Sequence, residues 1–186
     1  MSRARPGQIR IRGGQAGGRV LSAPDAIRPT QALVREAMLN MLAPWVRGAR
    51  VLDLFAGSGA LGLQALSEGA DFATFVDHAP DSVAAISANL DRLGWAERAQ
   101  VVGLDCRAWL TLHPAQVAEV GIMLLDPPYN DPVLEAVLNV LDGLCSPGTR
   151  VAVEHARGHP LPPLNRLVTI RDRRYGVARV SLLEMR

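Results

Sequence analysis

Apolar residues change their pattern near residue 50. Before it, Ile9 and Ile11 alternate with Arg10 and Arg12, a period of two that predicts a short strand with arginines on one face. A glycine-rich turn then leads into a second short strand ending at Val20-Leu21. Pro24 to Pro29 reads as a loop. Thr30 reads as the N-cap of a helix carrying Ala32, Val34, Met38, Leu39 and Leu42, with Pro44 near its end.

Beyond Arg50, apolar runs alternate with helix-period segments. Strands are predicted over 51–56, 72–77, 99–103, 121–126 and 149–154. Between them lie a helix carrying Leu61, Leu63 and Leu66 and ending at Gly69, and one over 81–93 capped by Gly94. Two more are predicted over 106–112 and 132–144. The tail holds two last strands, Leu167–Ile170 and Ala178–Leu183, around an arginine-rich turn ending at Tyr175-Gly176. Strands alternating with helices predict an α/β fold with a mostly parallel sheet and helices on both faces. The last two strands lack a helix between them and should pair antiparallel.

Composition adds little except in its distribution. The chain has 186 residues, 48% hydrophobic and 20% charged, the size and make-up of one globular domain. Two cysteines, Cys106 and Cys145, do not make a disulfide framework and suit a reducing compartment. No apolar h-region follows the N-terminal arginines, and no apolar run reaches the roughly 18 residues of a membrane span. Together these predict a cytoplasmic protein. Net charge is only +2, yet residues 1–50 hold nine arginines against two acids, a local +7. The remaining 136 residues carry 11 arginines and 16 acids, a net −5. A basic end on an acidic body suggests a polyanion at that end, with a solvated tail as the alternative.

Ligands of a doubly wound sheet bind outside the carboxyl ends of its strands. Four polar features fall there: Gly57–Gly59, Asp77, Asp105 and Asp126. Residues 57–62 read Gly-x-Gly-x-x-Gly, following a strand and opening a helix, which lets backbone approach a ligand closely. Asp77 lies 20 residues after Gly57 at the end of the next strand, placed to accept ribose hydroxyls. A plain tight turn and a loop-capping aspartate are the structural alternatives. These features indicate an adenosine-containing cofactor without choosing between NAD and S-adenosyl-L-methionine. Asp105 could meet an adenine amino group or simply cap a helix. Asp126-Pro127-Pro128-Tyr129 decides between the cofactors. Its prolines remove backbone donors and leave acceptors that can orient an exocyclic amine, and Tyr129 offers a face for a flipped base. Hydride transfer has no use for it.

Asp53-x-Phe55-x-Gly57-x-Gly59, Asp77 and Asp126-Pro-Pro-Tyr129 resemble the class I S-adenosylmethionine-dependent amino-methyltransferases. A more specific match is carried by Gly13-Gly-x-x-Gly-Gly-Arg19, Arg28-Pro-Thr30, Val34-Arg-Glu36, Asn40, Leu54 through Leu63 and Tyr175-Gly176. These resemble the bacterial 16S rRNA guanine-N2 methyltransferase family, the RsmD type, over about residues 9–184. The resemblance implies a seven-stranded fold with an N-terminal β-hairpin and N2 methylation of one guanine in small-subunit rRNA. It implies a basic hairpin extension over 1–30 and a methyltransferase domain over 31–186.

Carried over by motif, Asp53, Ala56, Gly57, Ser58 and Gly59 would hold the methionine end of S-adenosyl-L-methionine. Asp77 and His78 would take the ribose, Asp105 and Cys106 would flank the adenine, and Thr30 would lie at the cofactor entrance with Arg35. Asp126, Pro127, Pro128 and Tyr129 would hold the guanine. Arg10, Arg12, Arg19, Arg28 and Arg35 would meet RNA. Asp77 stands where the family often has Glu. His78, His113, His155 and His159 lack the spacing of zinc ligands, so no metal is expected. A monomer acting on 16S rRNA or a small-subunit ribonucleoprotein particle is expected. The rivals are a DNA adenine or cytosine amino-methyltransferase, an NAD-dependent oxidoreductase and a non-catalytic RNA-binding factor.

Overall fold

The computed structural model describes residues 7–23, 29–128 and 132–186, with backbone alone over 29–31. Arg28, Tyr129 and the 24–28 part of the expected loop lie outside the described residues, as does the Thr30 side chain.

The N-terminal pattern forms a hairpin, β1 (Gln8–Arg10) antiparallel to β2 (Val20–Ser22), with a 3-10 turn at Gly14–Ala16 between them. Helix α1 follows over Pro29–Val46. It begins one residue before Thr30, so Thr30 lies in its first turn and is not the N-cap. Proline is tolerated in a first turn, where its missing N–H has no helical partner. Pro44 sits inside the helix, which continues to Val46.

The main sheet comprises β3 (Arg50–Leu54), β4 (Phe72–Val76), β5 (Ala99–Val102), β6 (Ile122–Leu125), β7 (Arg150–Ala156), β8 (Leu167–Tyr175) and β9 (Ala178–Met185). Its order is β5-β4-β3-β6-β7-β9-β8. The first five are parallel, β9 runs antiparallel to β7, and β8 runs antiparallel to β9 as expected. The remaining helices are α2 (Ala60–Ser67), α3 (Pro80–Leu93), α4 (Cys106–Leu112), α5 (Pro114–Ala118) and α6 (Val133–Leu144). Two expectations need correction. The arginine-rich segment before Tyr175 is part of β8, not a turn. Strand β7 runs past Glu154 to Ala156.

Two apolar layers flank the sheet. One joins α1, α2 and α3 to Val51, Phe75, Leu124, Ala152 and Leu182. The other joins α4, α5 and α6 to Leu52, Leu54, Met123, Leu125 and Val153. Strand alternation therefore sets faces. Asp53 follows the phase of Val51, Asp126 that of Leu124, and Glu154 that of Ala152, so all three carboxyls point to the α1 side. The hairpin contributes Ile9, Ile11, Ala16 and Leu21 to that same layer. Gly14 explains its glycine pair: at φ +71°, any Cβ there would lie 1.8 Å from the Ser67 carbonyl oxygen.

Candidate active site

The rim is built first by the chain leaving β3. Phe55 takes a left-handed backbone at φ 61°, rare for an aromatic residue, and turns the chain into Ala56–Gly59. The Asp53 carboxyl, 1% exposed, accepts the Gly62 N–H at 2.9 Å in the first turn of α2. A Cβ on Gly62 would sit 2.3 Å from the Phe75 ring, so glycine is what lets α2 approach both. Burial lifts the Asp53 pKa to about 8, against the Gly62 N–H, which lowers it; the Asp77 charge adds to the rise.

Asp77 closes the cleft from β4. One of its oxygens accepts the Gly57 N–H at 2.8 Å and the other the Ala79 N–H at 2.9 Å. The carboxylate therefore stands against the glycine loop with lone pairs still available. His78 beside it is exposed, with Nδ1 4.0 Å from Asp77. Asp105 caps α4, accepting N–H groups of Arg107 and Ala108 at 3.0 and 3.1 Å. Its exposure leaves it open to the rim as well. Cys106 is buried beneath, its thiol pushed up to about 12 chiefly by burial, so it packs as a neutral group.

The second half of the rim follows β6. Asp126 is partly buried, Pro127 buried and Pro128 exposed. Leu125 pairs with Val153 across the parallel strands β6 and β7, so Asp126 and Glu154 are the next neighbours on the same face. Their carboxyls share a hydrogen bond, and burial followed by the Glu154 charge holds the Asp126 pKa well above the usual carboxylate range. Asp53 adds to the rise, and Arg35 on α1 opposes it. Burial lowers the Arg35 pKa, while Asp126 and Glu154 act to raise it. Among the described residues, Arg35 is thus a cation facing this carboxyl pair. A cavity of about 530 Å³ opens beside it, lined by Pro127, Pro128, Glu154 and the proline-rich segment that follows β7.

The other arginines divide. Arg10 and Arg19 are exposed, with Arg10 donating to the Gly18 carbonyl, while Arg12 pairs with Glu36. Two groups of residues that sequence reasoning did not single out hold the hairpin to the rim. Asn89, fully buried, accepts from Ser22 N at 2.8 Å and donates to the carbonyls of Ser22 and Ser58. Gln64 and Ser67 bond Arg12 N, Gly13 O and Ala16 N from α2. Asn89 could have been found as a polar residue on the apolar face of Ile86 and Leu90. Glu154, also not singled out, repeats the pattern of Asp53, a buried acid that follows apolar residues within a strand.

Among the described residues, no cluster of His, Cys, Asp and Glu could hold a metal ion, and no helix is long and apolar enough to cross a membrane.

Comparison with known proteins agrees with this architecture. The family model described as "Conserved hypothetical protein 95" matches residues 9–184. YlbH of Bacillus subtilis, described as a candidate rRNA methyltransferase, is 36% identical over 185 residues, covering 96% of this chain and 100% of its own. The ribosomal RNA small subunit methyltransferase D of Escherichia coli strain K12 is 41% identical over 138 residues, covering 73% of this chain and 68% of its own. The structure of yhhF from Escherichia coli superimposes with a TM-score of 0.84 at 35% identity, covering 96% and 98% of the two chains. More distant structures of the same fold include methyltransferases complexed with S-adenosyl-L-homocysteine. S-adenosyl-L-homocysteine in those proteins is the demethylated product of the cofactor read from this sequence. The chain belongs to the Conserved hypothetical protein 95 family, the RsmD-type methyltransferases whose motifs its sequence carries.

Proposed function

We propose that the protein transfers a methyl group from S-adenosyl-L-methionine to the exocyclic N2 amine of a guanine in 16S rRNA of the small ribosomal subunit. The observation that carries this reading is the Asp126-Pro127-Pro128 segment at the end of β6, on the same rim as the glycine loop and Asp77. Two prolines supply no N–H, so the backbone after Asp126 presents acceptors only. Acceptors suit an exocyclic amine, whose N–H groups they hold while its lone pair stays free to attack. This is catalysis by positioning and by electrostatics.

The residues present fit the cofactor. Asp53 and the Ala56–Gly59 backbone suit its methionine end, Asp77 its ribose hydroxyls, and Asp105 with the neutral Cys106 its adenine. Thr30 and His78 would flank that path. When bound, S-adenosyl-L-methionine supplies a methyl group activated by its sulfonium charge, so no metal is needed. Tyr129, next along the chain from Pro128, would stack on the extruded base.

RNA docking falls to the hairpin. Arg10 and Arg19 are exposed there, Arg12 and Arg28 add charge, and Arg35 lines a second cavity with Ile9–Gly13 of the hairpin. Phosphate contacts position and carry no sequence information. The division into a hairpin over 1–30 and a methyltransferase domain over 31–186 is then one of roles, because the hairpin shares the core. The names of the relatives support rRNA as the substrate class. A cytoplasmic monomer would suffice. The test is tritium transfer from labelled S-adenosyl-L-methionine to naked 16S rRNA, partly assembled particles and 30S subunits from a strain lacking the gene. Label is expected on at least one of them; cofactor binding with no label on any would refute the reading.

A further inference from the structure

The reading above gives Glu154 no task. Yet it is 3% exposed within β7, directly after the apolar run Val151–Val153, a costly place for an acid without a purpose. It stands beside Asp126 on the neighbouring parallel strand, on the same face, and is hydrogen-bonded to it. It also lines the cavity that Pro127 and Pro128 border. Arg35 from α1 provides the opposing charge.

The shared hydrogen bond leaves each carboxyl with further lone pairs, so the pair offers two acceptors side by side. The Watson–Crick edge of guanine carries two adjacent donors, N1–H and the N2 amine. Adenine and cytosine instead carry a ring-nitrogen lone pair next to their amine. A carboxylate facing that position bonds guanine and repels the other two bases, which adds exclusion of the wrong base to attraction of the right one.

We propose that Glu154 is the base-selecting residue: its carboxylate accepts the N1–H of the guanine whose N2 amine Asp126 holds. This rests on the guanine-N2 reading. The alternative is that Glu154 only orients Asp126, in which case it would affect turnover of every substrate equally.

The discriminating probe is 2-aminopurine, which keeps the reacting 2-amino group but has a lone pair at N1. 16S rRNA ligated with guanine or 2-aminopurine at the methylated position is given to the full-length wild type and to Glu154→Gln. The glutamine keeps the shape and can turn either an acceptor or a donor toward N1. Wild type is expected to prefer guanine by about 10- to 100-fold in kcat/KM, the range for a buried charged group left without its partner. Glu154→Gln should bring that ratio down at least tenfold, with cofactor binding retained. Equal turnover of both RNAs by wild type overturns the proposal even if the variant fails to fold. An unchanged ratio in a folded variant overturns it as well. Wild type that makes no N2-methylguanosine on natural rRNA refutes the functional reading itself, and the proposal with it.

Discussion

Replacing Asp53 by Asn should stabilise the cofactor-free protein, and do so more as pH rises. The Asp53 carboxyl is buried, and its pKa lies at about 8 in the fold against 3.8 for a free side chain. Because the folded value is the higher, the native state binds an extra proton. The resulting stabilisation is complete below about pH 4 and is lost as pH rises toward about 8. At about 1.4 kcal/mol per pH unit, the full shift corresponds to roughly 6 kcal/mol. Relaxation of the site around the charge should reduce this to about 2–4 kcal/mol. Asparagine keeps an oxygen for the Gly62 N–H and has no charge to bury. At pH 8 it should therefore raise the melting temperature by roughly 4–16 °C, given about 2–4 °C per kcal/mol for a chain of this size. Near pH 4 the two proteins should melt together. Asp126 titrates in both, so most of its contribution cancels in the difference. Scanning calorimetry from pH 4.5 to 8.5 checks this. A melting difference that does not grow with pH would refute the argument. The same variant should bind S-adenosyl-L-methionine more weakly, so stability and function pull against each other at this position.

Other substitutions separate the roles along the rim. Asp126→Ala should cut turnover by about 100-fold or more while changing cofactor affinity little, as steady-state kinetics beside calorimetric binding would show; equal losses in both would remove its assigned role. Asp77→Ala removes the acceptor from Gly57 and the ribose site together, and should weaken S-adenosyl-L-methionine binding by about 10- to 100-fold in a titration. Asn89→Ala leaves Ser22 N and two carbonyls without their partner and should cost about 2–4 kcal/mol in denaturant melts. It should also expose the hairpin to protease, and a hairpin as resistant as in wild type would contradict that.

Much of the fold was legible because its strands are buried on both faces. Runs such as Ile122–Leu125 and Phe72–Val76 have no polar phase, and their lengths and flanking glycines identify them. Strand β8 was not legible past Ile170 for the opposite reason. It is an edge strand with Arg171, Arg173 and Arg174 exposed, and a register shift between Thr169 and Arg171 breaks its alternation. The start of α1 was missed because Pro29 reads as a breaker in sequence but enters a first helical turn without strain. At the site, Asp77 and Asp126 were legible because each follows an apolar strand and precedes a loop, and Asp53 because it opens the glycine-loop motif. Glu154 was not, because nothing local marks it as the neighbour of Asp126, which lies 28 positions earlier in the chain. Pairing across parallel strands leaves no local trace in sequence. The half-buried placement of Arg35 was hidden likewise, since nothing in Val34-Arg-Glu36 distinguishes an arginine facing carboxyls from one facing RNA.

The most direct test of the central claim is mass spectrometry of nucleosides from 16S rRNA of the gene-deletion strain, before and after treatment with the purified protein and S-adenosyl-L-methionine. The account predicts that N2-methylguanosine appears in proportion to enzyme turnover and at one position. Methylation of adenine or cytosine amines instead, or no change in an rRNA the protein demonstrably binds, would contradict it.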